Sequence, residues 1–152
     1  MTETLPADLR PEQFPSLNDV IDHIASKHAD LPGFTCLGKT LSYGEVNELA
    51  ERFAACLRQQ PNLEQGDRIA IQLPNLLQFP IALYGAIKAG LVVVNTNPLY
   101  TPPEMHHQFV DSHVKAIVIL DSMCSKLETI ISSTSIETVV VARLGDMHPA
   151  PK

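Results

Sequence analysis

The chain has 152 residues, 45% of them hydrophobic, and a net charge of −6. That length carries one domain with a real core, the acidic balance excludes the basic face that nucleic acid requires, and no run approaches the roughly 18 uninterrupted apolar residues of a spanning helix. Cys36, Cys56 and Cys124 are odd in number and widely spaced, with no C-x-x-C, so neither a disulfide framework nor a zinc knuckle is expected and a reducing cytoplasm fits.

The opening stretch, MTETLPADLRPEQFP, has no apolar segment behind a basic one and does not read as a secretory signal. With Pro6, Pro11 and Pro15 among polar residues, 1–16 reads as an extended lead. Leu17, Val20, Ile21 and Ile24 recur at helical spacing and predict a helix to about Lys27. Pro32 and Gly33 end that unit. The apolar run 34–37, a turn at Gly38-Lys39 and a return at 40–41 predict a small hairpin. Ser42 and Glu45 match a capping box. Val46, Leu49, Ala50, Phe53 and Leu57 then form one buried helix face.

Pro61 and Gly66 bound a loop, and 69–73 is a strand stopped by Pro74. Asn75 is the expected cap of the next helix, whose start Pro80 restricts because it lacks an N–H. Leu83, Tyr84 and Ile87 carry that helix to Gly90, a natural residue to end it. Residues 91–94 form the next strand. Thr101 and Glu104 make a second capping box, with Pro102 at the first helical position, and the helix runs to about Ser112. A strand at 116–120 follows, then a helix capped by Asp121 or Ser122, then a last strand at 138–141. The tail 144–152, with Gly145, Pro149 and Pro151, reads as flexible, leaving 17–143 as the folded unit. The strands are nearly continuous apolar runs between amphipathic helices. That pattern predicts an α/β fold with a mainly parallel sheet flanked by helices and covered on both faces.

Residues 33–40, GFTCLGKT, satisfy the P-loop expression G-x-x-x-x-G-K-[ST]. A phosphate loop follows a buried strand, and its lysine opens a helix, so that amides and helix dipole meet the phosphates. Here a helix and Pro32 come before, and the next helix is capped at Ser42. The hairpin is therefore the preferred reading, with a small P-loop NTPase as the alternative. His106, His107 and His113 lack paired spacing for a metal, since adjacent helical residues point about 100° apart. Cys36 and Cys56 fall in apolar patterns and are expected as small core residues. Hydrolase and dinucleotide signatures are absent from the sequence.

At 41–46 (LSYGEV), 66–70 (GDRIA), 73–75 (LPN) and 87–90 (IKAG), the chain resembles the AMP-forming adenylate synthetases. The run 93–102 (VVNTNPLYTP), followed by Glu104, His107 and Gln108, is similar to the long-chain-fatty-acid–CoA ligase branch. The resemblance covers about 17–146. It implies a partial N-terminal domain of the acyl-CoA synthetase fold, its sheet incomplete on at least one side, with apolar helix faces or sheet edges left uncovered and self-association or a partner expected. It also implies a two-step reaction in which ATP and a fatty acid give an acyl-adenylate and pyrophosphate, and CoA then displaces AMP. Mg²⁺ is implied for the intact enzyme, with fatty acid, ATP and CoA as partners, and any peripheral membrane association rests mostly on residues outside this chain. The sequence lacks the T-[SG]-G-T-T-G-x-x-K-G phosphate loop and the late catalytic lysine. It names no catalytic or metal residue, and the chain alone is expected to be inactive. In related CoA synthetases the loop equivalent to 95–101 approaches the pantetheine tunnel, which makes Asn97, Leu99 and Tyr100 candidates for lining the CoA side. The plainer reading is that Asn95, Asn97 and Pro98 only shape a turn feeding the Thr101 cap. An interaction module that pairs with a separate remainder is a further alternative.

Overall fold

Residues 11–148 are described by the computed structural model; the expected lead over 1–10 and the tail end at 149–152 lie outside them. Within the lead, Pro11–Gln13 form a 3-10 turn, not extended chain. Helix α1 (Leu17–Lys27) begins at Ser16, whose hydroxyl accepts from the Asp19 N–H at 3.3 Å. Strands β1 (Pro32–Cys36) and β2 (Lys39–Ser42) pair antiparallel as the predicted hairpin. Its turn is Leu37-Gly38, one residue earlier than expected. Both residues have positive φ, 49° and 79°, as a two-residue turn matching strand twist requires.

Helix α2 (Tyr43–Arg58) carries the predicted box. Ser42 N–H donates to the Glu45 carboxylate at 2.8 Å, and Glu45 N–H donates to the Ser42 hydroxyl at 3.2 Å. Val46, Ala50 and Leu57 are buried, and Leu49 and Phe53 half-buried. Cys56 is exposed, contrary to its expected place in the core, because it lies off that face; Cys36 is half-buried.

Strand β3 (Arg68–Gln72), helix α3 (Gln78–Lys88), strand β4 (Val92–Asn95), helix α4 (Pro102–Asp111), strand β5 (Val114–Leu120), helix α5 (Cys124–Glu128) and strand β6 (Thr138–Ala142) follow. The four strands β4-β3-β5-β6 form one parallel sheet in that order. Asn75 does not cap α3. The cap position is Leu77, which makes no side-chain bond and is buried in the core instead. Pro80 is the third helical residue, where its missing N–H costs little. Asp121 accepts from its neighbour Ser122 N–H at 2.7 Å within a 3-10 turn, and neither residue occupies the cap position of α5, which is Met123.

Each face of the sheet has its own core. Ile69, Ile71 and Val118 pack with Leu57 of α2 and Ala82 and Ala86 of α3. Ala70, Ile117 and Ile119 pack with Met105 and Phe109 of α4 and Leu127 of α5. Coverage on both faces holds for β3 and β5 but not for the edge strands, where Val92, Val139 and Val141 are exposed. A third cluster of Leu41, Val46 and Leu77 joins the hairpin to α2 and α3, and Met147 packs against it. The described part of the tail thus turns back towards α3, and Gln78 Nε2 donates to the Arg143 carbonyl at 2.7 Å.

Candidate functional site

Strand connections decide where this fold can hold a ligand. The chain leaves β3 towards α3 on one face, while the chain leaving β4 enters α4 on the other. Adjacent parallel strands whose connections part to opposite faces leave a crevice beyond their carboxyl ends, where ligands of open α/β sheets gather. In the order β4-β3-β5-β6 that crevice lies between β3 and β5, whose connections leave to α3 on one face and to α5 on the other. The loop 96–101, which carries the candidates Asn97, Leu99 and Tyr100, follows β4 at the same end of the sheet and meets the end of β3 at Gln72.

The loop's shape comes from named bonds. Asn97 Oδ1 accepts from the Leu99 N–H at 2.9 Å, and the Asn97 carbonyl accepts from the Tyr100 N–H at 3.1 Å. This is the local turn asparagine favours. Leu99 is thrown outward and is 82% exposed. Tyr100 is half-buried against the core of the α4 face, and its carbonyl accepts from Lys126 Nζ of α5 at 3.2 Å. The Glu104 carboxylate takes the Thr101 N–H at 2.8 Å and the Thr101 hydroxyl at 2.7 Å. Those bonds, the backbone one first, hold the Glu104 carboxyl below its ordinary pKa.

Two glutamines complete the loop's support. Gln72, fully buried at the end of β3, donates from Nε2 to the Asn97 carbonyl at 3.3 Å. Gln108 of α4 donates from Nε2 to the Asn95 carbonyl at 3.1 Å. A carbonyl oxygen only accepts, so each amide must turn its nitrogen to the loop. Both Oε1 atoms are buried, with no hydrogen-bond partner among the described residues. Sequence reading did not single out Gln72. Its one signal was a polar residue inside the apolar strand run 69–73.

The other sequence candidates do not converge here. The P-loop pattern is the hairpin: Lys39 opens a strand and pairs with Cys36 across the turn. Thus the lysine opens no helix, and the phosphate-binding alternative loses its structural basis. His106 is half-buried and His107 exposed on α4, whereas His113 lies beyond that helix at φ 49°. Among the described residues no group of three or more His, Cys, Asp or Glu is gathered for a metal. A cavity of about 230 Å³ lies between the hairpin and the start of α3, where Cys36 Sγ donates to the Asn75 carbonyl at 3.5 Å. Among the described residues no helix is long and apolar enough to cross a membrane.

The family model for AMP-binding enzyme matches residues 21–150. The long-chain-fatty-acid–CoA ligase of Salmonella typhimurium is 42% identical over 97% of this chain and 26% of its own length. That of Yersinia pestis is 41% identical over the same shares. The chain therefore spans about a quarter of the length of the curated relatives it matches, and the match is to their N-terminal part. The crystal structure of a long-chain-fatty-acid–CoA ligase from Archaeoglobus fulgidus shares the fold. It superposes with a TM-score of 0.76 at 21% identity, covering 85% of this chain and 29% of that one.

Proposed function

The chain belongs to the AMP-binding enzyme family, and on that premise we propose that it supplies the N-terminal segment of a long-chain-fatty-acid–CoA ligase. The intact enzyme converts ATP, a fatty acid and CoA to acyl-CoA, AMP and pyrophosphate, with Mg²⁺, in the cytoplasm. Identity to curated ligases sustained over nearly the whole chain carries this reading. ATP phosphates and Mg²⁺ are not assigned to these residues. The one phosphate-loop pattern is a hairpin, and no carboxylate cluster is gathered among the described residues. The segment acts as scaffold and does not adenylate a fatty acid alone. Pyrophosphate release from the purified 152-residue chain, dependent on ATP and fatty acid, would overturn that.

Within the intact enzyme, the loop of Asn97, Leu99 and Tyr100 lines the CoA side. Leu99 offers an exposed apolar contact beyond the carboxyl end of the sheet. For Asn97 the plainer role is favoured, because its Oδ1 is engaged within the loop. The test separates the two half-reactions in a full-length ligase carrying this segment. Leu99→Ala and Tyr100→Ala are expected to raise the KM for CoA and to leave ATP–pyrophosphate exchange unchanged. A thioester-forming step untouched by both variants removes the CoA-side role.

A further inference from the structure

We infer that Gln72 and Gln108 are positioning residues that fix the 95–101 loop in one conformation, with Leu99 presented outward. The inference concerns the loop's shape and stands separately from what the loop contacts.

Three loop carbonyls are held by side chains from three elements: Asn95 by Gln108 of α4, Asn97 by Gln72 of β3, and Tyr100 by Lys126 of α5. Asn95 and Asn97 are themselves exposed residues, yet the carbonyl of each is met by a glutamine amide from a neighbouring element, and that of Asn97 also accepts the Tyr100 N–H. Each glutamine keeps its Oε1 buried while its Nε2 makes that bond. Methionine at position 72 would fill similar space on the sheet face that carries Ala70 and would bring no amide with it. What the amide adds, and methionine cannot, is a donor aimed at the loop from inside the sheet. Gln108 adds the matching donor from the helix the loop feeds. Held from both sides, the loop keeps its internal turn, and the exposed Leu99 occupies one place instead of sampling many.

The experiment is site-resolved amide hydrogen exchange on the 152-residue chain, comparing wild type with Gln72→Met, Gln108→Met and the double variant. The Leu99 and Tyr100 N–H groups report directly, since both are bonded within the loop to Asn97. They are expected to exchange about tenfold faster in each single variant and faster still in the double, while Ile71 and Ile117 in the sheet keep their protection. A merely structural role would lower protection in the sheet as much as in the loop. That result, or loop exchange unchanged in Gln108→Met, overturns the inference. Should Gln72→Met fail to fold, Gln108→Met, at a half-buried helix position, decides alone. Failure of the CoA-side reading shows elsewhere, as CoA kinetics unmoved by Leu99→Ala.

Discussion

The ammonium of Lys88 on α3 lies 2.7 Å from the carboxylate of Glu51 on α2, with the Lys88 side chain only 5% exposed. Asp22 of α1 meets the same ammonium, so one buried cation ties three helices together. Burial works against its charge, but the bonds to Asp22 and Glu51 outweigh it and its pKa is raised. The two carboxylates are half-exposed, which makes the triad asymmetric. Asp22→Asn combined with Glu51→Gln leaves a buried ammonium without counter-charge and costs about 1–2 kcal/mol, discounted for the solvent around the carboxylates. Lys88→Met returns both carboxylates to water and costs less. Urea denaturation checks the order, and equal losses would sink the argument. Because the folded pKa is raised, this stabilisation is complete below lysine's ordinary value of about 10.4 and is lost as pH rises through the folded value.

Gly85 sets how closely α2 and α3 approach. A Cβ there would stand 2.7 Å from Phe53 Cδ1 and 2.9 Å from the Ala50 carbonyl oxygen. A side chain can move, but the backbone oxygen of a packed helix cannot move cheaply. Gly85→Ala gains about 1 kcal/mol of helix propensity and forces the pair apart, at about 1–3 kcal/mol. The expected net result is a lower thermal midpoint. An alanine variant as stable as wild type would show that the helices separate freely.

These contacts mark what was legible in the sequence. Both capping boxes were, since their partners lie three residues apart: Ser42 with Glu45, and Thr101 with Glu104. The central strands were legible because burial on two faces writes an unbroken apolar run. An open side of the sheet was expected too, but not which one: Val139 and Val141 read like interior strand residues, yet they stand exposed on β6. Asn75 had the chemistry of a cap, but burying Leu77 moved the helix start past it. The place of the candidate loop followed from its position after a strand. Its holders did not, because Gln72 and Lys126 reach it from 25 and 26 residues away.

Asp67 makes stability depend on acid. Its carboxylate accepts from the Glu64 N–H at 2.9 Å and from Lys115 Nζ at 3.0 Å. The backbone bond first, and then Lys115, hold its pKa below the ordinary value. A depressed carboxylate stabilises the fold above its unfolded pKa, about 3.9 here, and that contribution is lost as pH falls through the folded value. Urea midpoints measured from about pH 6 down to pH 2 should fall more steeply for wild type than for Asp67→Asn. Parallel curves would mean that the pair contributes nothing that protons remove.

The uncovered edge of the sheet should drive association. Strand β6 pairs only with β5, so its outer backbone groups lack sheet partners among the described residues. Beside that edge, Val139 is 40% exposed and Val141 48%. Unpaired strand edges with apolar flanks template pairing with another chain. The isolated chain is expected to self-associate with rising concentration in sedimentation velocity and to bind an apolar-surface dye. Val139→Lys with Val141→Lys should shift it towards monomer. The stability cost should stay small, within about 0.5 kcal/mol for each exposed site. Like charges placed along the edge would repel a second copy, and strand lysines are a common guard against such pairing. A wild-type chain that stays monomeric throughout, melts cooperatively and binds no dye would show that β6 needs no partner.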